Sequence, residues 1–224
     1  LPVKPTKLQA VLRYEFRDRR YLWRALRHPS VGSKNNERLE FLGDSILNFC
    51  IAEKLYEMKP NASAGELSRM RASLVNNESL TVLADRLQLG NYIELGQGEQ
   101  QNGGKQRKSI LSGAMEAVLG AVFLDGGFEA CKKLILELYQ PLLANLPDAE
   151  ELKDPKTRLQ ELLQCQGREL PQYTIVAQTG MDHQKQFEVN CLVEGAAPVS
   201  AIGSSRRRAE QLAASRMFKS LTDG

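Results

Sequence analysis

Residues 36–45 read NERLEFLGDS. Three carboxylates, Glu37, Glu40 and Asp44, fall in a segment that otherwise has the spacing of a core helix. With about 3.6 residues per turn, all three project from one side of such a helix. Leu39, Phe41, Leu42, Ile46, Leu47 and Phe49 surround that side with apolar bulk. Like charges at these offsets repel by a few tenths of a kcal/mol when exposed, and more strongly beside apolar packing. The stretch therefore reads either as a solvated acidic face or as a place where a cation sits.

Glu116 adds weight to the second reading. It falls mid-helix among Met115, Ala117, Val118 and Leu119, and a glycine-bearing basic loop, GGKQRKS at 103–109, precedes it. Such a loop, feeding a helix N-terminus, suits an anion such as phosphate. Carboxylates converging from two helices are hard oxygen donors suited to Mg²⁺, for which Mn²⁺ can substitute. A metal of that kind activates water for attack on a phosphodiester and steadies the leaving oxygen.

Outward from this stretch, residues 7–146 carry helical periodicity almost throughout. Leu39–Leu55 runs to a break at Lys59-Pro60, and Leu67–Leu87 is interrupted near Asn76-Asn77. Gly90, Gly96, Gly98 and Gly103-Gly104 mark a long turn region. A helix over Ile110–Leu124 stops at Asp125-Gly126-Gly127, and another spans Glu129–Leu143. The polar segment 147–153 reads as a linker. Beyond it a short helix over Thr157–Cys165 precedes period-2 runs at Tyr173–Gln178 and Phe187–Val193 and a third strand over Val199–Ile202. A final helix over Arg206–Leu221 turns Ala209, Leu212, Ala213, Met217 and Phe218 inward. The expectation is a helical domain over 1–146 and a small α+β domain over 154–224.

Composition narrows the setting without deciding it. The 224 residues carry a net charge of +3, so local clusters must make any case for an anionic partner. Cys50, Cys131, Cys165 and Cys191 are widely separated, with no CxxC pair, which argues against a disulfide framework or zinc site. No uninterrupted apolar run reaches about 18 residues, and no secretory pattern opens the chain. A soluble, cytoplasmic protein with no membrane partner is the expectation.

Residues 203–214, GSSRRRAEQLAA, place a Gly, two hydroxyls and three arginines at a helix start. Backbone amides, the helix dipole and guanidinium groups all favour phosphate there. Together with PQYTIV at 171–176 and the Gly180, His183, Phe187 spacing, this resembles the double-stranded RNA-binding domain. The resemblance implies that Thr157 and Gln160 reach one minor groove and that the loop around His183 reaches the next. Ser204, Ser205, Arg206 and Arg207, with Arg208, then lie at the phosphates between them. Glu210 stands where a further basic residue is common in that fold, which predicts somewhat weaker binding.

NERLEFLGDS itself resembles the signature of bacterial ribonuclease III. LSRMRASLV at 67–75, GGKQRKSIL at 103–111, the EA, GA and LDGG pattern over 116–127 and the KDPKT segment from 153 follow in the family's order. The resemblance implies an all-α endonuclease domain followed by a small α+β (α-β-β-β-α) RNA-binding domain. It implies a homodimer, a Mg²⁺-dependent site with Asp44, Glu116 and Glu37 as catalytic residues, and Glu40, Asp44 and Glu116 as metal ligands. The implied reaction cuts both strands of double-stranded RNA, leaving 5′-phosphate and 3′-hydroxyl ends with a short 3′ overhang. The implied substrates are ribosomal RNA precursors and structured messenger RNAs.

The chain departs from the family pattern at Gly113, where an Asp ligand is usual, at Ala64, where many members carry Glu, and at Pro29. Gly113 lies one helical turn before Glu116, where a carboxylate would face the same ion. The departures predict weakened cleavage, with Gly113→Asp raising it by orders of magnitude. The alternative is a catalytically silent double-stranded RNA-binding protein on the same fold.

Overall fold

The computed structural model describes residues 5–180 and 185–222 and divides into two compact units, residues 1–149 and residues 150–224. The first is helical. Helix α1 (Pro5–Leu12) and α2 (Arg19–Ala25) lead to α3 (Glu37–Met58), followed by α4 (Ala64–Leu74) and α5 (Asn77–Arg86). A short α6 (Gln97–Gln101) precedes α7 (Lys108–Gly126) and α8 (Phe128–Ala144).

Local chemistry sets these boundaries. At the start of α4, the Glu66 amide donates to Ser63 Oγ and the Ser63 amide donates to Glu66 Oε2, a reciprocal cap. Asn76 caps α5 by accepting the Ser79 amide at 2.9 Å, which splits the periodic run over 67–87 into two helices. Helix α7 ends at Gly127, whose φ of +82° favours glycine. Asp125, in its last turn, accepts the Tyr14 hydroxyl at 2.7 Å and the amides of Arg17 and Asp18, tying the N-terminal segment to the end of α7. The glycine-marked turn region is not bare loop: α6 and two 3₁₀ turns, Leu89–Asn91 and Gly104–Gln106, lie within it.

Helix α7 is the axis of this unit. Ile110 to Met115 and Ala117 to Val122 are buried, with α2, α3, α5 and α8 packed around them. By length and mean hydropathy, 1.4, it could span a bilayer, but burial inside the unit accounts for its composition. Its closest neighbour is α3. A Cβ at Gly43 would fall on the Glu116 carbonyl, and one at Gly120 would fall on the Leu39 carbonyl. Glycine on each helix thus permits backbone-to-backbone contact, and that contact brings the acidic side of α3 up to Glu116. Leu39, Ile46 and Leu47 are buried as the spacing predicts, but Phe41 and Phe49 are exposed, 77% and 56%, and face away from the core.

The second unit runs α9 (Pro155–Cys165), β1 (Gln172–Thr179), β2 (Gln186–Leu192), β3 (Val199–Gly203) and α10 (Arg206–Thr222). Asp154 caps α9 by accepting the Lys156 amide, with Pro155 in the first helical position. The strands form an antiparallel sheet in the order β1-β2-β3, with a register shift between Ile175 and Ala177. Helices α9 and α10 pack together, with α10 also against β2 and β3, around Leu159, Leu163, Cys191, Val193, Ala201, Ala213, Ala214 and Met217. Of the residues expected to face inward on α10, Leu212 and Phe218 are only half-buried, and Glu210 is buried instead.

Candidate active site and RNA-binding surface

The four acidic residues singled out in the sequence come together. Glu37, Glu40 and Asp44 from α3 and Glu116 from α7 line one open hollow of about 370 Å³, with Phe41 at its side. The outer two are oriented by amides: Asn35 Nδ2 donates to Glu37 Oε2 at 3.0 Å, and Asn48 Nδ2 donates to Asp44 Oδ1 at 2.8 Å. Asn35 is itself held, its carbonyl accepting Arg24 Nε. Glu40 and Glu116 have no such donor among the described residues.

Charge accumulates accordingly. Burial pushes the Glu116 carboxyl up from its ordinary 4.5 to about 7, with Asp44 and then Glu40 adding to the shift. Burial also raises Glu40, helped by Glu37 and Asp44. Among the described residues no cation relieves either group. The chemistry of this donor set, hard oxygens crowded without a counter-charge, fits a divalent cation such as Mg²⁺. As placed, no three His, Cys, Asp or Glu side chains among the described residues stand as a ready-made metal site. The donors fit in kind, and their final arrangement would follow the ion.

Gly113 lies beside this hollow. The three atoms nearest a Cβ built on it all belong to the carboxylate of Glu40, with Oε2 at 2.8 Å and Cδ and Oε1 at 2.9 Å. Ala64 is exposed at the first position of α4, where the Ser63–Glu66 cap forms the helix start without a carboxylate at 64. Pro29 opens a short 3₁₀ turn, Pro29–Val31. In the basic loop, Arg107 is paired with Glu99 at 2.9 Å, so part of its charge is already met.

In the second unit Thr157 and Gln160 are exposed on α9, and Ser204, Ser205, Arg206, Arg207 and Arg208 are exposed at the start of α10. Ser205 Oγ accepts the Arg208 amide at 3.2 Å, so that hydroxyl caps the helix. His183 lies outside the described residues. Glu210 differs most from its reading as a bare acidic substitution. It accepts Lys156 Nζ and Arg206 Nε, both at 2.8 Å, while Gln211 donates to Asp154 Oδ2 at 2.7 Å. These bonds tie the start of α9 to the start of α10. Arg206 bonds to Glu210 through Nε while its side chain stays largely exposed.

A family model described as Ribonuclease-III-like matches residues 18–142, and one described as Double-stranded RNA binding motif matches residues 155–221. The chain belongs to the ribonuclease III family. It is 50% identical to Ribonuclease 3 of Alkalilimnicola ehrlichii and 46% identical to that of Idiomarina loihiensis, in each case over 100% of this chain and 98% of the relative. The solved nuclease domain of ribonuclease III from Campylobacter jejuni is 44% identical, with a TM-score of 0.61 over 62% of this chain and 97% of that one. The protein is thus a ribonuclease III-type endoribonuclease carrying a double-stranded RNA-binding module.

Asn35, Asn48 and Lys156 were not among the residues picked out in the sequence. Asn48 had a readable signal, since it stands four residues after Asp44 on the same helix. Asn35 sits two residues before Glu37, in the position from which a side-chain amide reaches a first-turn carboxylate. Lys156 had none, because its partner is 54 residues away.

Proposed function

We propose that this chain is a Mg²⁺-dependent endoribonuclease that cuts double-stranded RNA as a cytoplasmic homodimer, with ribosomal RNA precursors and structured messenger RNAs as substrates. The single observation that carries the reading is the convergence of Glu37, Glu40, Asp44 and Glu116 on one hollow with no cation among them. Glu40, Asp44 and Glu116 would hold the ion, and Mn²⁺ would fit the same oxygens. Bound there, Mg²⁺ supplies Lewis-acid charge that activates water and steadies the leaving oxygen. Asp44, held by Asn48, keeps one carboxylate aimed into the hollow. Glu37, steadied by Asn35, accepts a hydrogen bond from water or a ribose hydroxyl at its rim. Glu116, raised by burial and its acidic neighbours, is the carboxylate that a bound cation would relieve most.

Dimerisation is supported by the outward line of Phe41, Phe49 and Tyr56 on α3. Their spacing keeps them within an arc of roughly 80° on the helix, a contiguous apolar stripe of the kind that marks an interface. In the module, residues 154–224 joined through 147–153, the grip on RNA is assigned to Thr157, Gln160, His183, Ser204, Ser205, Arg206 and Arg207. Contacts of this type read duplex shape and phosphate rather than base sequence.

Gly113 favours a second reading, a protein that holds the duplex and cleaves poorly. One experiment separates the two: cleavage of a long radiolabelled RNA duplex against Mg²⁺ and Mn²⁺ concentration, with duplex binding measured alongside. Discrete short duplex products establish the endoribonuclease, whereas binding without products at any metal concentration establishes the silent form.

A further inference from the structure

We infer that Glu210 is a positioning residue for the RNA grip: it holds the Arg206 guanidinium ready for a phosphate of the duplex, and Lys156 in turn holds Glu210. The inference rests on the reading of Arg206 as a phosphate contact. It gives the acid a role opposite to the one its charge alone predicts, which is to repel the duplex.

The start of α10 shows what needs holding. Arg206, Arg207 and Arg208 open the helix, and its first turn contains no acidic residue. Three cations there sit at the positive end of the helix dipole, an arrangement that favours an arriving anion and keeps the guanidinium groups apart from one another. The backbone beneath them is fixed. A Cβ on Gly203 would fall 2.5 Å from the Ala209 amide nitrogen, so the end of β3 lies in main-chain contact with α10. The side chains are another matter. A free arginine loses its rotamer freedom when it grips a phosphate, and affinity falls accordingly.

Glu210 meets that need at Arg206. It stands one helical turn further on, and its Oε1 accepts Arg206 Nε at 2.8 Å. The Arg206 side chain stays 63% exposed, whereas that of Glu210 is only 11% exposed, so the carboxylate is the fixed end of the pair. Its other oxygen accepts Lys156 Nζ at 2.8 Å, and that ammonium also lies 4.4 Å from the centre of the Tyr173 ring. Residues of α9, β1 and α10 thus meet around one carboxylate. Among the described residues, Arg206 is the one arginine of the three whose guanidinium is hydrogen-bonded.

The two roles open to Glu210 predict opposite signs. As a counter-charge it would oppose the duplex, and its removal would tighten binding. As a positioning residue it aids the duplex, and its removal weakens binding only while Arg206 is there to be held.

The test is affinity of the full chain for a short blunt RNA duplex, with divalent metal chelated so that no strand is cut. Filter binding over a range of salt concentrations compares the unaltered protein with Glu210→Gln, Arg206→Ala, Arg206→Lys and the two doubles carrying Glu210→Gln, with thermal melts to confirm folding. Arg206→Ala should weaken binding about fivefold and lower the salt slope by about 1. Glu210→Gln should weaken it about threefold, although it removes a negative charge. On Arg206→Ala, and on Arg206→Lys, which keeps the charge but has no Nε, Glu210→Gln should bring no further loss.

Unchanged or tighter binding by Glu210→Gln alone, or an equal loss in all three backgrounds, would overturn the inference while leaving the phosphate contact standing. Full affinity in Arg206→Ala would overturn the phosphate reading itself, and this inference with it.

Discussion

Glu116 and Glu210 are both carboxylates on helix faces, one in each unit, and their surroundings drive them in opposite directions. Burial, Asp44 and Glu40 raise Glu116 to about 7. Burial also acts to raise Glu210, but bonds from Lys156 and Arg206 outweigh it and hold that carboxyl below its ordinary range. The difference is one of partners. Glu210 finds its counter-charges inside the fold and serves to fasten α9 to α10. Among the described residues Glu116 finds only other acids, an arrangement costly to the fold unless a cation arrives from outside. An unrelieved carboxylate thus points to a reaction, and a relieved one to a joint.

The sharpest way to break this comparison is to neutralise Glu116. Glu116→Gln should lower duplex cleavage by about a thousandfold or more while leaving duplex affinity within about twofold, read on product gels and by filter binding. A matching loss of affinity would mean that the two units do not divide the work as described. Arg206→Ala with Arg207→Ala should do the converse, weakening duplex binding roughly tenfold or more and lowering the salt slope by about 2. That loss should be equal across duplex sequences; dependence on sequence would assign these arginines to base reading.

Much of this was legible in the sequence and some was not, for identifiable reasons. The acidic residues could be grouped because three share one helix, and helix geometry converts spacing into a shared face. The limits of α3 and α7 were readable from Lys59-Pro60 and Asp125-Gly126-Gly127. The outward turn of Phe41 and Phe49 was missed because an apolar residue carries no mark of which surface covers it. The contact at Gly43 and Gly120 was illegible too, since it depends on two helices meeting across some 77 residues of chain. The partners of Glu210 were illegible for the same reason: Lys156 lies on another helix.

Smaller effects sharpen the picture further. Glu210→Gln should lower stability by about 1 kcal/mol at pH 7, after allowance for the solvent around Arg206. Because the folded carboxyl titrates below its unfolded value, its contribution is present above about pH 4.5 and is lost as pH falls through the folded pKa. Urea melts should therefore show the two proteins diverging most above about pH 4.5 and drawing together as the pH is lowered below it. Smallest of all, Mg²⁺ at several times its Kd should stabilise the unaltered chain by about 1 kcal/mol and leave Asp44→Asn unmoved, in thermal melts.

The meeting of α3 and α7 through Gly43 and Gly120 has a consequence for how such a site can change over generations. Its spacing depends on main-chain atoms, which every residue possesses, and on two positions that must stay bare. Substitution elsewhere on the facing surfaces leaves that frame alone. A sequence can then lack a carboxylate at 113 and keep its architecture. Heritable variation is concentrated in who fills each position, while the positions themselves persist.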